Sequence, residues 1–225
     1  MQLGVGGGLL AVIVVVALIA ISQSGGGGSG GSAASITDVD VIAKQLQGIP
    51  QRGNILGDPK AKVTVVEYGD PQCPVCKLFS EQVVPTLISG PVRSGEADYE
   101  FKPWLIIGPQ SKPAAEAALA AGEQGRFFNF IDLFYRNQGA ENSGYVTDAF
   151  LNAVAKGAGV PNLDAWNGAR ASSKWSSVLS QINGEATKLG FHGTPSVLVT
   201  GPGGRKLFTS IPTEAAIAAA IKAVG

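Results

Sequence analysis

AKVTVVEYGDPQCPVCKLF, residues 61–79, is the stretch that decides the fold of this chain. Ala61–Tyr68 is β-branched and apolar, the composition of a buried strand. Gly69-Asp70-Pro71-Gln72 follows as a turn. From Lys77 to Ile88 the apolar residues return at helical spacing, with Phe79, Val83, Val84 and Leu87 available for a core face. Pro85 falls inside that run and should kink the helix or end it early. Between strand and helix stand Cys73 and Cys76, the only two cysteines in 225 residues.

A helix beginning at Cys73 places Cys76 three residues on, over the same face, close enough to close a small disulfide ring. Pro74 then takes the first helical position, where its missing N–H costs nothing. Cys73 becomes the N-cap, expected to be exposed beside unpaired backbone N–H groups and the positive end of the helix dipole. That setting favours a thiolate over a thiol. Three other uses of such a pair compete with a redox couple. A structural zinc site needs four ligands, but there is no second C-x-x-C and His192 is the only histidine. A purely structural disulfide around so short a loop would add little stability. A redox-silent binding module of the same architecture stays open. No metal and no cofactor is expected.

Working outward toward the N-terminus, Leu9–Ile21 (LLAVIVVVALIAI) is continuously apolar, and Asp38 is the first charged side chain. Gly4–Ser22 approaches the roughly 20 residues needed to span a bilayer, and residues 1–23 are expected to be a transmembrane anchor, with a cleaved signal as the alternative. No Lys or Arg flanks the run, so the charge bias that orients such helices is missing. Residues 24–36 are a Gly/Ser linker, and residues 37–225 form the head. Thr37 can cap a short helix over Asp38–Leu46. Gly48–Lys60 reads as turns. The chain is 45% hydrophobic, with net charge zero, which gives it a sizeable core and nothing that suggests nucleic acid as a partner.

Toward the C-terminus, Asp98–Ile107 reads as a second strand, placed at an edge or bulge by Pro103 or ended there; Ser89–Gly95 before it reads as a loop. Helices are expected over Ser111–Glu123, Arg126–Asn137, Thr147–Lys156, Asn162–Arg170 and Ser173–Lys188. In the second of these, Phe127, Phe130, Ile131 and Phe134 share one face. Strands return at Ser196–Thr200 and Lys206–Thr209 around a Gly201–Gly204 turn, and Thr213–Ala223 closes the chain as a helix. The expected fold is α/β, a thioredoxin-type sandwich with a helical subdomain inserted at about 110–190.

Three ordered blocks, GDPKAKVTVVEYGDPQCPVCKLF at 57–79, GRFFNFIDLFYRNQ at 125–138 and GFHGTPSVLVTG at 190–201, resemble the DsbA-type thioredoxin family, particularly its membrane-tethered members. The resemblance implies that Cys73 is the attacking cysteine and Cys76 its buried partner. It implies that Thr194-Pro195 is a cis-proline loop that lies against the couple and binds substrate backbone. Glu67, six residues before Cys73, is implied to lie under the site and exchange protons with Cys76. A buried carboxylate needs a partner or a raised pKa, and Lys102 on the neighbouring strand is the candidate partner. Pro74 and Val75 are implied to tune the couple. Strongly oxidising members often carry histidine where this chain has Val75, so the expected potential falls between theirs and thioredoxin's.

The expected function is a thiol:disulfide oxidoreductase that donates the Cys73–Cys76 disulfide to exported protein thiols. By the same resemblance it would be recharged by a quinone-linked membrane oxidase, DsbB- or VKOR-like, with the catalytic head on the extracytoplasmic side of the cell membrane. The rival enzyme reading is a reductase or isomerase kept reduced by a membrane donor.

Overall fold

The computed structural model describes residues 35–225. The expected anchor over 1–23 and nearly all of the 24–36 linker lie outside the described residues. Among the described residues no helix is long and apolar enough to cross a membrane.

Among the described residues six strands form one mixed sheet: β1 (Gln51–Arg52), β2 (Ile55–Leu56), β3 (Val63–Gly69), β4 (Ala97–Pro103), β5 (Ser196–Gly201) and β6 (Gly204–Phe208). Their order across the sheet is β1-β2-β4-β3-β5-β6. Only β3 and β4 run parallel, with Val65 opposite Tyr99 and Glu67 opposite Phe101. That register decides which side chains share a face, because side chains alternate along a strand. Val63 and Val65 enter the main core, whereas Val66 and Tyr68 enter a smaller one with Trp104, Ile182, Ala186 and Phe191. Both faces of β3 are therefore covered, which is why its sequence is apolar without a polar alternation.

β1 and β2 lie where only turns were expected. Two residues each are too few to show a period, and tertiary pairing makes them strands: Ile55 and Leu56 pair with Glu100 and Tyr99. β4 ends at Pro103 and does not run on to Ile107; it is an interior strand, with β2 and β3 on its two sides.

The helix α1 (Val39–Leu46) starts after Asp38, which has φ 64° and makes no side-chain cap. Thr37 does not cap it either. Its N–H donates to Asn137 Oδ1 at 2.9 Å and its carbonyl accepts from Asn137 Nδ2 at 3.2 Å. The active helix α2 (Pro74–Gln82) stops at Val83, and α3 (Val84–Leu87) restarts the chain. Pro85 is the cause, since it has no N–H to give the Glu81 carbonyl. A π-helical turn over Ile88–Val92 occupies most of the expected loop.

The helices α4 (Ser111–Gly122), α5 (Phe127–Arg136), α6 (Asp148–Gly157), α7 (Leu163–Arg170) and α8 (Lys174–Lys188) fall between β4 and β5 in the chain, and α9 (Glu214–Val224) follows β6. Thr147, Asn162 and Thr213 cap α6, α7 and α9, each side chain accepting an N–H three residues on. α5 is buried more widely than one aromatic stripe. Phe128, Leu133, Tyr135 and even Asp132 are covered along with the four expected residues, because α1, α2, α4 and α6 all pack on it.

Candidate active site

The sulfur pair sits where β3 hands the chain to α2. Cys73 is the N-cap of α2, with φ −72° and ψ 119°, and its sulfur accepts the Cys76 N–H at 3.4 Å. Pro74 holds the first helical position as expected. The expected exposure of Cys73 is corrected: it is buried, 4% exposed, while Val75 beside it is 40% exposed. The Thr194 carbonyl lies 3.4 Å from its sulfur, and the Thr194–Pro195 bond is cis. The loop at residue 194 thus roofs the sulfur that the helix terminus presents. Gly193 is not needed for close approach, since a Cβ there would meet open space.

The two sulfurs have opposite acidities. Cys73 ionises at about 6, because a hydrogen bond from the Cys76 thiol, the Thr194 side chain and the backbone N–H groups of Cys76 and Val75 stabilise the thiolate against the cost of burial. The Thr194 carbonyl accepts from the protonated thiol, and the Thr194 hydroxyl is buried with no hydrogen-bond partner among the described residues, which leaves it available to an ionised sulfur. Val75 tunes through its backbone, with its side chain in solvent. Cys76 is wholly buried, and that burial, then the bond to Cys73 and the charge of Glu67, push its thiol well above the ordinary range.

Glu67 lies on β3 with 1% exposure. Burial raises its carboxyl to about 8, opposed by a hydrogen bond from Tyr99 and helped by the charges of Asp132 and Cys73. Tyr99 Oη donates to Glu67 Oε2 across the parallel pair. Glu67 Oε1 has no partner among the described residues and lies against Gly69, where a Cβ would sit 2.7 Å from it. Glycine is required at that position for the acid to fit.

Lys102 does not serve Glu67. It stands opposite Tyr68, on the other face of the sheet, and its ammonium bonds Glu185 at 2.7 Å and faces Glu100 at 3.8 Å. The alternation in DYEFKP carried this signal: Tyr99 and Phe101 make the apolar face, and Lys102 belongs with Glu100 on the polar one.

The loop before Cys73 is held by residues that the sequence did not single out. Asp70 is fully buried and accepts from Gln72 N–H at 2.9 Å and from the Ile106 and Ile107 N–H groups at 2.8 and 2.9 Å. Tyr135 Oη donates to the Asp70 carbonyl at 3.1 Å. Gln138 Nε2 donates to the Pro71 carbonyl at 2.7 Å and to that of Cys73 at 3.3 Å. Gln72 gives its amide to Ser111 Oγ at 3.0 Å and receives the Asn142 N–H at 2.9 Å. The helical insert therefore clamps the loop that carries the couple, a long-range arrangement with no local sequence signature.

Two unlike sulfurs, one activated and one silent, over a protonated buried acid can exchange a disulfide with another thiol. Among the described residues no group of three or more His, Cys, Asp or Glu is placed to hold a metal ion.

A family model described as Thioredoxin matches residues 51–223. The chain is similar to the probable disulfide bond formation protein D of Bacillus cereus, with 31% identity over 150 residues, 65% of this chain and 69% of that one. Among solved structures, oxidised BdbD from Bacillus subtilis shares the fold with a TM-score of 0.67 at 22% identity, covering 77% of this chain and 96% of that one. Wolbachia pipientis alpha-DsbA1 does so with a TM-score of 0.64 at 20% identity, covering 78% and 90%.

Proposed function

We propose a function from one premise: this chain belongs to the DsbA-type thioredoxin family. It is a thiol:disulfide oxidoreductase, and the direction we assign is oxidation of client proteins. The observation that carries the reading is the split between the sulfurs, Cys73 acidic at about 6 and Cys76 held well above the ordinary range. Such a pair leaves a stable thiolate on the exchanging sulfur and so favours giving its disulfide away.

In the first step a client thiolate attacks Cys73 Sγ of the disulfide. The Cys73–Cys76 bond breaks, its electron pair goes to Cys76 Sγ, and Glu67 supplies the proton that a buried thiolate needs. In the second step another client thiolate attacks the client sulfur of the mixed disulfide, and Cys73 leaves as its thiolate. The client loses two electrons and the pair gains them. Thr194 and Pro195 are assigned the client backbone. Exposed Val75, Leu78 and Ile106 give the rim an apolar surface suited to an unfolded polypeptide.

A glutathione-buffered titration of the purified chain tests the direction. A potential between about −120 and −230 mV is expected, and one near −270 mV would replace the oxidase with a reductase. The reading also includes recharging by a quinone-linked membrane oxidase, DsbB- or VKOR-like, on the extracytoplasmic side. The apolar run Leu9–Ile21 and the Gly/Ser stretch after it support a tethered head. Membranes washed with alkaline carbonate should retain the full-length chain; a soluble form starting near Ser24 would overturn the tether.

A further inference from the structure

Asp132 is a second acid beneath the couple. It lies on α5 with 5% exposure. Its Oδ1 accepts from Ser80 Oγ at 3.4 Å, and its Oδ2 has no partner among the described residues. Ser80 is four residues after Cys76, hence one turn along the same face of α2. Three residues beyond Asp132, Tyr135 reaches the Asp70 carbonyl, so this face of α5 is turned toward the loop that carries Cys73. The site thus holds three buried carboxyls: Asp70, both of whose oxygens accept backbone N–H groups, and Glu67 on β3 and Asp132 on α5, each with one oxygen unpaired among the described residues. An asparagine would satisfy Ser80 equally well without burying an ionisable group, so packing alone does not account for an acid there.

We propose that Asp132, seated beneath α2 through Ser80, is a positioning residue that keeps the Glu67 carboxyl carrying its proton until the Cys76 sulfur leaves. The inference rests on the reading of Glu67 as the proton exchanger.

Burial raises Asp132 to about 7, with Arg136 one turn on and the Ser80 hydroxyl pulling it back. Its charge in turn pushes up both Glu67 and Tyr99. Two carboxylates in one dry site do not both ionise readily. The first negative charge goes to Asp132, where Arg136 and Ser80 favour it, and ionisation of Glu67 is deferred. The other groups around the pair are Asp70 in the loop before α2, Cys73 and Cys76 at the start of α2, Tyr99 on β4 and Tyr135 on α5, with Glu81 on α2 reached through Arg136 at 4.0 Å. The buried faces of α1, α4 and α6 add no ionisable group. When the disulfide is attacked, the Cys73–Cys76 bond breaks and the proton moves from Glu67 Oε to Cys76 Sγ. The site's negative charge then resides on the two carboxyls and the sulfur leaves neutral.

The test follows carboxyl carbons by NMR in the full chain, with Asp and Glu side chains labelled. Asp132→Asn should lower the Glu67 midpoint by about one pH unit, whereas Glu67→Gln should leave the Asp132 midpoint close to its wild-type position, because Glu67 is still neutral when Asp132 ionises. The alkaline limb of turnover should move down with the Glu67 midpoint in Asp132→Asn and return in Asp132→Glu. If Asp132→Asn does not fold, Ser80→Ala serves in its place, since loss of the hydroxyl raises Asp132 and lowers Glu67. An unmoved Glu67 midpoint overturns the inference, even where Glu67→Gln slows turnover and so upholds the acid's own role. Midpoints that shift while Glu67→Gln turns over like wild type would bring down both readings.

Discussion

Replacing Glu67 by glutamine should flatten part of the pH dependence of folding. The carboxyl titrates at about 8 in the folded chain against an ordinary 4.5. Between those values the folded state holds a proton that the unfolded state has lost, so stability falls as pH rises and levels off above the folded value. At pH 7 the ratio of the two binding polynomials is a few hundred, which corresponds to a destabilisation of about 3 kcal/mol, growing to about 5 kcal/mol by pH 9. Glutamine keeps an oxygen for the Tyr99 hydroxyl. Its amide N–H₂ at the unpaired position adds a cost of about 1–3 kcal/mol that does not change with pH. The informative quantity is therefore the wild-type-minus-variant difference in urea unfolding free energy, measured from about pH 4.5 to about pH 9. Cys73 and Asp132 titrate in both proteins and largely cancel. The difference should swing by about 3 kcal/mol or more in favour of the variant as pH rises. A flat difference would refute a buried, proton-bearing Glu67, and the proposed proton exchange would lose its donor.

Two further outcomes follow from the same geometry. Alkylation of the reduced chain should report a Cys73 midpoint near about 6, with the ultraviolet thiolate signal absent in Cys73→Ala; a midpoint at or above about 8.5 would mean the sulfur is not activated. At pH 7 that acidity stabilises the reduced pair by about 1.4 kcal/mol over an ordinary thiol, or about 30 mV. Lys102→Ala should cost no more than about 1 kcal/mol in urea unfolding, the value of a partly exposed ion pair, and should leave the Glu67 midpoint in place. A displaced Glu67 midpoint in that variant would restore Lys102 to the site.

Much of the site was legible because its chemistry is local. The strand, the turn, Pro74 and the cysteine spacing all lie within residues 61–79, and short-range geometry alone puts Cys73 on a helix terminus. The helix starts at Thr147, Asn162 and Thr213 were readable for the same reason. What depended on register was not. Pairing Glu67 with Lys102 required knowing that Glu67 stands opposite Phe101, which turns the lysine to the far face and brings Tyr99 to the acid. Thr37 reads as a cap by residue type, yet Asn137, a hundred positions away, takes its backbone. The expected exposure of Cys73 failed because the roof comes from residue 194. Asp132 passed as an unremarked member of an aromatic helix, since nothing in FFNFIDLFYR says that the polar gap also faces inward.

The distances along the chain between Cys73 and its neighbours bear on how the protein is made. The Cys73 carbonyl is held by Gln138, 65 residues later, and its sulfur meets Thr194, 121 residues later. A growing chain emerges N-terminus first, at about 5–20 residues per second. For some seconds, then, the nascent polypeptide carries both cysteines with neither the clamp nor the roof in place. During that interval Cys73 has only its helix terminus to acidify it, and Cys76 lacks the cover that silences it. The two thiols then differ less than in the folded protein, and both are open to oxidants and to stray partners. The selectivity of the finished enzyme arrives only when the last third of the chain has docked, so a ribosome stalled before residue 194 would hold a reactive dithiol without the surroundings that make it selective.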